Sequence, residues 1–293
     1  MLKKIHPQKK IIFEYLLIGS NGLLGSAIRS RLNSKKIMCV ARTNSDYNID
    51  LNYLKRFKRI FDKYKFRNVI NCAAITNLSK CEKEKEKCKK INLELPLILN
   101  NLSKKMKFNL IHISTDQVYC KGKRKKFKET DKISFLNYYS KTKFLAEKIL
   151  RNNKKTLIIR TNFTGFKKNL NQTFAGWLLN SIKSKKKINL FNDFYVSTVD
   201  VDFCSRMIIK LIKKKAKGIY NLGSRKSISK EKFALLFAKQ MGKKLNYNSV
   251  SSKKSNIIRP ESLAMDTRKI EKKLKILMPL PVSVINRLIK ELN

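Results

Sequence analysis

The most constraining feature of this chain is an apolar run, residues 11–19, that carries one acid, Glu14, and leads straight into Gly19-x-x-Gly22-x-x-Gly25. Residues 23–32 then show the apolar spacing of a helix face. Strand, glycine turn and helix in that order predict the opening of a parallel α/β unit, because glycines permit a tight turn and a close backbone approach. The pattern continues downstream. Residues 37–41, 68–74, 108–114 and 156–160 read as further strands, with charged amphipathic helical stretches at 80–101 and 139–151 between them. Strands alternating with helices at this interval predict a Rossmann-type, doubly wound parallel sheet covered on both faces.

Beyond Arg160 the alternation loosens. Helical patterns at 170–182, 203–214 and 229–241 are interleaved with short strands at 187–191 and 218–222; Ser229 is placed to cap the last helix and Gly242 to end it. This half reads as a smaller C-terminal α/β substrate-binding lobe, residues 166–293, that returns some elements to the sheet of a nucleotide-binding domain formed by residues 1–165. No linker rich in Pro, Gly or Ser and no internal repeat marks the boundary.

Bulk properties narrow the function classes. A chain of 293 residues buries a substantial core. No apolar run approaches the roughly 20 residues that a membrane helix needs, and residues 1–10 form a short basic arm without the apolar stretch of a signal peptide. A cytoplasmic protein with no membrane partner is expected. The six cysteines, Cys39, Cys72, Cys81, Cys88, Cys120 and Cys204, include no Cys-x-x-Cys pair and read as free thiols. Of two histidines, His6 lies in the arm and His112 in an apolar strand, so metal chemistry lacks its usual ligands and no metal site is expected. The net charge of +48 arises from lysines spread along the whole chain, without an aromatic-interleaved basic motif. That distribution predicts a general attraction for anionic nucleotides rather than specific nucleic-acid binding.

Chemistry enters with Tyr139 and Lys143, which stand four apart, downstream of the glycine turn and of Ser114-Thr115-Asp116. A spacing of four places phenol and ammonium on one helix face. The cation is then expected to stabilise phenolate and draw the tyrosine pKa below its usual value of about 10, making Tyr139 a proton donor and acceptor. Register selects this tyrosine, since Tyr138 has Thr142 four residues on. Alone, the pair also fits a solvated helix face in a lysine-rich chain. Its order after the glycine turn and Ser-Thr-Asp favours a reductase.

In the glycine turn, backbone N–H groups from Gly19 through Gly22 to Gly25 can approach a dinucleotide pyrophosphate. The end of the second strand reads Ala41-Arg42-Thr43, with no acid to hold a ribose hydroxyl. Arg42 can pair with a 2′-phosphate, so NADP(H) is preferred and NAD(H) remains possible. Asp50, eight residues later, is positioned either for adenine or for a helix cap.

With these residues the chain resembles the extended short-chain dehydrogenase/reductase family and, within it, the dTDP-4-dehydrorhamnose reductase group. The resemblance rests on the glycine turn, residues 69–76, Asn92, Ile113-Ser114-Thr115-Asp116, Tyr139 to Lys143, Arg160-Thr161-Asn162-Phe163, Arg259-Pro260 and Asp266-Thr267. It implies that Gly22, Leu23 and Leu24 face the pyrophosphate, Asp50 and Leu51 border adenine, and Ala73 and Ala74 line the cofactor. Thr115 would hydrogen-bond a substrate keto oxygen, with Asp116 beside it on the substrate side. Tyr139 would protonate that oxygen, and Lys143 would bind the nicotinamide ribose. Phe163 stands where the group commonly places a tryptophan against the sugar. Related dehydratases carry Thr-Asp-Glu; Thr115-Asp116-Gln117 lacks the second acid, which favours simple reduction. The implied activity is NADPH-dependent reduction of a nucleotide-linked 4-keto-6-deoxyhexose, dTDP-4-dehydro-L-rhamnose first among them, for polysaccharide biosynthesis. The alternatives are another nucleotide-sugar reductase or epimerase, or a non-catalytic regulatory subunit of the methionine-adenosyltransferase type. A homodimer is possible on the same resemblance.

Overall fold

The computed structural model describes residues 10–119, 126–167, 169–255 and 258–292; Cys120 and His6 lie outside them. Among the described residues a seven-stranded parallel sheet forms from β1 (Ile11–Ile18), β2 (Ile37–Ala41), β3 (Tyr47–Asn48), β4 (Tyr64–Asn71), β5 (Asn109–Thr115), β6 (Thr156–Thr161) and β7 (Gly218–Leu222). Their spatial order is β7-β6-β5-β4-β1-β2-β3. β1 pairs with β2 on one side and with β4 on the other. Chain order therefore reverses between β1 and β4, and such a reversal opens a crevice at the carboxyl ends of the strands.

β2 and β6 are buried at every position, as strands covered on both faces must be. One face is closed by the Leu23–Arg29 and Val201–Lys213 helices, where Leu24 and Ile28 share a core with Phe203, Met207 and Leu211. The other face packs Leu95 and Leu99 against Leu16, Ile18 and Leu110. A separate core joins Leu178, Phe233, Phe237 and Leu288 from three helices of the C-terminal half. That half also returns β7 to the sheet edge beside β6. Ser229 caps the Lys230–Gln240 helix by accepting from Lys232 N at 3.1 Å, and Gly242 follows it at φ +64°.

Two elements depart from expectation. β4 starts four residues earlier than its apolar pattern, because Lys65 and Arg67 sit at its exposed beginning, and it ends at Asn71, leaving Ala73 and Ala74 beyond the strand. The single helix expected over residues 80–101 is four pieces: Leu78–Lys83, Lys85–Lys89, a π-helical segment Lys90–Glu94, and Leu95–Met106. Glu84 breaks it with φ −108° and ψ 56°. The wide turn lets Asn92 reach inward, where its amide accepts from Ile75 N at 2.9 Å and donates to Ile75 O at 3.0 Å. This clamp fixes the segment after β4; π turns recur at functional sites for such reasons. Among the described residues no helix is long and apolar enough to cross a membrane.

Candidate functional site

The glycine turn leaves β1 at its carboxyl end. Gly19 has φ +79°, and a Cβ there would fall 2.8 Å from Ala73 N. A Cβ on Gly25 would fall 2.1 Å from Gly19 O. Neither position tolerates a side chain: the turn folds tightly on itself at Gly25 and packs directly against the backbone at Ala73 through Gly19.

Two adjoining cavities lie along this edge. One, of about 360 Å³, is bordered by Gly22, Leu23, Leu24 and Gly25 on one side and by Thr115, Asp116, Tyr139, Lys143 and Phe163 on the other. The second, of about 560 Å³, is bordered by Gly19, Arg42, Asp50, Leu51, Ala73 and Ala74. Gly22, Ala74 and Lys167 border both. The candidate catalytic, cofactor and substrate residues named from the sequence thus border one continuous groove, whereas Asn92, Arg160, Arg259 and Asp266 do not line it. Asp50 is not a helix cap; it closes a turn by accepting from Asn52 N at 2.9 Å.

Tyr139 and Lys143 owe their placement to the helix Tyr138–Leu150. Asn137 caps it with a reciprocal box to Ser140, which sets the register. Tyr138 N–H is held at the rim by Glu82 at 2.7 Å, and Tyr139 turns inward, 7% exposed. Thr115 closes β5 and its hydroxyl donates to Asp116 Oδ1 at 3.2 Å. Asn162 donates to Asp116 Oδ2 at 2.9 Å. Burial pushes the Asp116 carboxyl up to about 6, against the pull of Asn162 and Lys230.

The expected lowering of the Tyr139 pKa is corrected here. Burial pushes the phenol above its ordinary value, interaction with the Thr115 side chain opposes that rise, and Asp116 adds to it. Lys143 does not offset the rise because its Nζ is seated elsewhere. Nζ donates to Ile113 O at 2.6 Å and lies 3.2 Å from His112 Nε2. Burial lowers Lys143 to about 8, with Glu147, Cys72 and Cys88 pulling the other way. Tyr139 is therefore a firmly protonated donor, and Lys143 is a cation that titrates near neutrality.

One turn further along, Glu147 receives Arg160 Nε at 3.0 Å, Arg160 Nη2 at 2.7 Å and Ser114 Oγ at 2.5 Å. Arg160 Nη1 donates to Tyr119 Oη at 2.6 Å. This network, missed in the sequence, ties the helix to β5 and β6 beneath the groove. Also missed was Lys230; Arg259, named only within the resemblance, was given no role, and the two flank the short strand Tyr195–Val196. Lys230 Nζ lies 3.9 Å from the centre of the Phe174 ring, and Arg259 covers Phe191. Burial pushes Lys230 down to about 8; Asp116 opposes the shift and Arg259 adds to it. In so lysine-rich a chain nothing local distinguishes Lys230, whereas Glu147 had a signal in its spacing of four from Lys143 on an inward face.

Residues 13–293 match the model of the family described as RmlD substrate binding domain. The chain belongs to this family. It is 25% identical over 292 residues to the dTDP-4-dehydrorhamnose reductase of Salmonella typhimurium, covering 94% of this chain and 97% of that protein. It is 26% identical to the spore coat polysaccharide biosynthesis protein SpsK of Bacillus subtilis, over 87% of this chain and 90% of that protein. The crystal structure of dTDP-4-dehydrorhamnose reductase from Bacillus anthracis in complex with NADP superposes with a TM-score of 0.86, at 22% identity over 97% of this chain and 100% of that one. The expected fold class, family and NAD(P)-dependent reductase class agree with these relatives.

Proposed function

We propose that this protein is an NADPH-dependent reductase of the 4-keto group of a nucleotide-linked 6-deoxyhexose, with dTDP-4-dehydro-L-rhamnose as substrate and dTDP-L-rhamnose as product. The observation that carries this reading is the convergence of Thr115, Tyr139 and Lys143 on the same groove as the glycine turn, at the point where strand order reverses.

The residues present fit a dinucleotide, since the glycine turn packs against Ala73 without side chains and borders both cavities of the groove through Gly19, Gly22 and Gly25. Gly22, Leu23 and Leu24 would face its pyrophosphate, Asp50 and Leu51 its adenine, Arg42 a 2′-phosphate, and Ala73 and Ala74 its length. When bound, the cofactor supplies the hydride. Thr115 orients the keto oxygen by a hydrogen bond, and Tyr139 gives it a proton. A phenol that burial keeps protonated suits this direction of reaction. Lys143, while charged, holds the ribose. Phe163 offers an apolar surface to the 6-methyl group, and Asp116 accepts a sugar hydroxyl. Lys230 and Arg259 supply cations on the substrate side, suited to a diphosphate. Residues 1–165 mainly bind cofactor and residues 166–293 mainly shape the substrate side, in a cytoplasmic enzyme able to act as a homodimer.

The test is direct. The keto sugar is generated with an upstream dehydratase and epimerase, and this protein is added with NADPH. Consumption of NADPH with formation of the deoxysugar is expected. Failure with every epimerised keto sugar, by protein shown to bind cofactor, moves the assignment to a regulatory subunit.

A further inference from the structure

His112 is fully buried on β5 and takes no part in the steps above. Its Nε2 lies 3.2 Å from Lys143 Nζ, and its Nδ1 lies 3.4 Å from Asn71 Nδ2. Asn71 is its register partner at the end of β4. The Asn71 amide cannot turn freely, because its Oδ1 accepts from Ala73 N at 3.2 Å. The amide nitrogen, which can only donate, is therefore the atom that faces His112 Nδ1. A donor there requires a lone pair on Nδ1. Burial, with Lys143 nearby, holds the ring neutral, well below its usual pKa. The single ring proton must then sit on Nε2, pointing at Lys143.

An N–H at Nε2 has a consequence for the lysine. It can donate to the lone pair of a neutral amine, whereas an ammonium, which only donates, meets it donor to donor. We propose that Asn71 and His112 form a tautomer lock on Lys143, in which His112 presents Nε2–H and makes the lysine ammonium unfavourable at its seat on β5. The charged form is then the one that turns toward Tyr139 and the groove. His112 is a positioning residue in this scheme, acting through Lys143, and its part in turnover rests on the reductase reading above.

The other titratable groups facing Lys143 act by charge rather than by hydrogen-bond direction, and Glu147, Cys72 and Cys88 favour the charged form. Tyr139 and Glu147 stand on its own helix, and Glu147 is occupied by Arg160. Cys72 lies beyond β4 and is kept a neutral thiol by burial, Cys88 stands on the Lys85–Lys89 helix, and Asp116 lies past β5 on the Tyr139 side. The Ile113 carbonyl accepts from either form.

The chain has two histidines, so ¹⁵N-histidine labelling gives two sets of ring signals, and His112→Gln assigns them. The expected result is an Nε2–H tautomer at His112. In Asn71→Asp a carboxylate oxygen replaces the amide nitrogen, and the ring should switch to Nδ1–H. Gln at 112 can turn its carbonyl to the ammonium without adding charge. Both variants should move the alkaline limb of kcat/KM upward by about one pH unit, and a ¹³Cε titration of Lys143, assigned by its loss in Lys143→Met, should move with it. A merely structural role would lower kcat or stability and leave that limb in place. An Nδ1–H tautomer in the parent overturns the proposal, as does an unmoved Lys143 titration in both folded variants. The NMR readouts need no substrate, so absence of turnover would count against the reductase reading alone.

Discussion

Lys143 and Glu147 stand one turn apart on the same helix, and each is 1% exposed. Their surroundings differ completely. Glu147 receives donors from Arg160 and Ser114 on both oxygens, and Arg160 completes its own set with Tyr119. Burial works against the Arg160 charge, but Glu147 and Tyr119 more than offset it and hold the guanidinium above its ordinary range. Lys143 has a backbone carbonyl and a neutral imidazole, and its pKa falls. A buried charge with a full set of partners is an architectural joint. One left short of partners keeps two accessible protonation states, which is what chemistry at neutral pH requires.

The largest expected effect breaks the joint. Glu147→Ala leaves the Arg160 guanidinium buried without its carboxylate and should cost about 3–5 kcal/mol of stability, read from urea unfolding. Lys143→Met removes a poorly partnered buried cation. It should change stability by less than about 1 kcal/mol while weakening both turnover and cofactor affinity. Equal losses of stability in the two variants would erase the distinction.

Next in size is Tyr139→Phe. It deletes the proton donor and keeps the ring's packing, so kcat should fall about 10²-fold or more while NADPH still binds. Undiminished turnover would remove Tyr139 from the mechanism. Lys143 predicts a pH dependence as well. Its folded pKa of about 8 lies below the ordinary 10.5, so it is charged below pH 8 and loses that charge as pH rises through it. If the charged lysine holds the cofactor, kcat/KM should decline above about pH 8, and Lys143→Met should lack that limb.

Much of this architecture was legible where the information is local. The strand runs at 37–41 and 156–160 read correctly because burial on both faces demands unbroken apolar sequence. The glycine turn read correctly because steric exclusion leaves glycine alone at Gly19 and Gly25. Tyr139 and Lys143 were placed on one face by helical spacing. What failed is set by partners far away in the chain. The helix break at Glu84 and the inward turn at Asn92 answer to Ile75, and the direction of the Tyr139 shift depends on what Ile113 and His112 do to Lys143. Arg160 and Glu147 are 13 residues apart and meet only because β6 lies against the helix. The helices Arg268–Leu274 and Pro281–Lys290 were also unread; the first is short and set among lysines, whereas the second carries an apolar face of Val284, Ile285 and Leu288 that the reading passed over.

The smallest effect concerns a third kind of cation, unpaired but solvated. Arg42 is exposed at the end of β2, borders the larger cavity, and has no carboxylate within ion-pair distance among the described residues. Water screens it, so unlike Lys143 it is not a desolvated charge. Its use would be to meet a 2′-phosphate, where a fork of N–H groups can make charge-assisted bonds at a site still open to solvent. Arg42→Ala should lower the NADPH-to-NADH ratio of kcat/KM about tenfold, equivalent to about 1.4 kcal/mol, chiefly through KM for NADPH. Raising the salt should shrink the parent's preference toward that of the variant. If the parent uses NADH as well as NADPH, and Arg42→Ala leaves the ratio unchanged, Arg42 is a surface charge like the lysines around it, and discrimination between the cofactors must come from other residues along the groove.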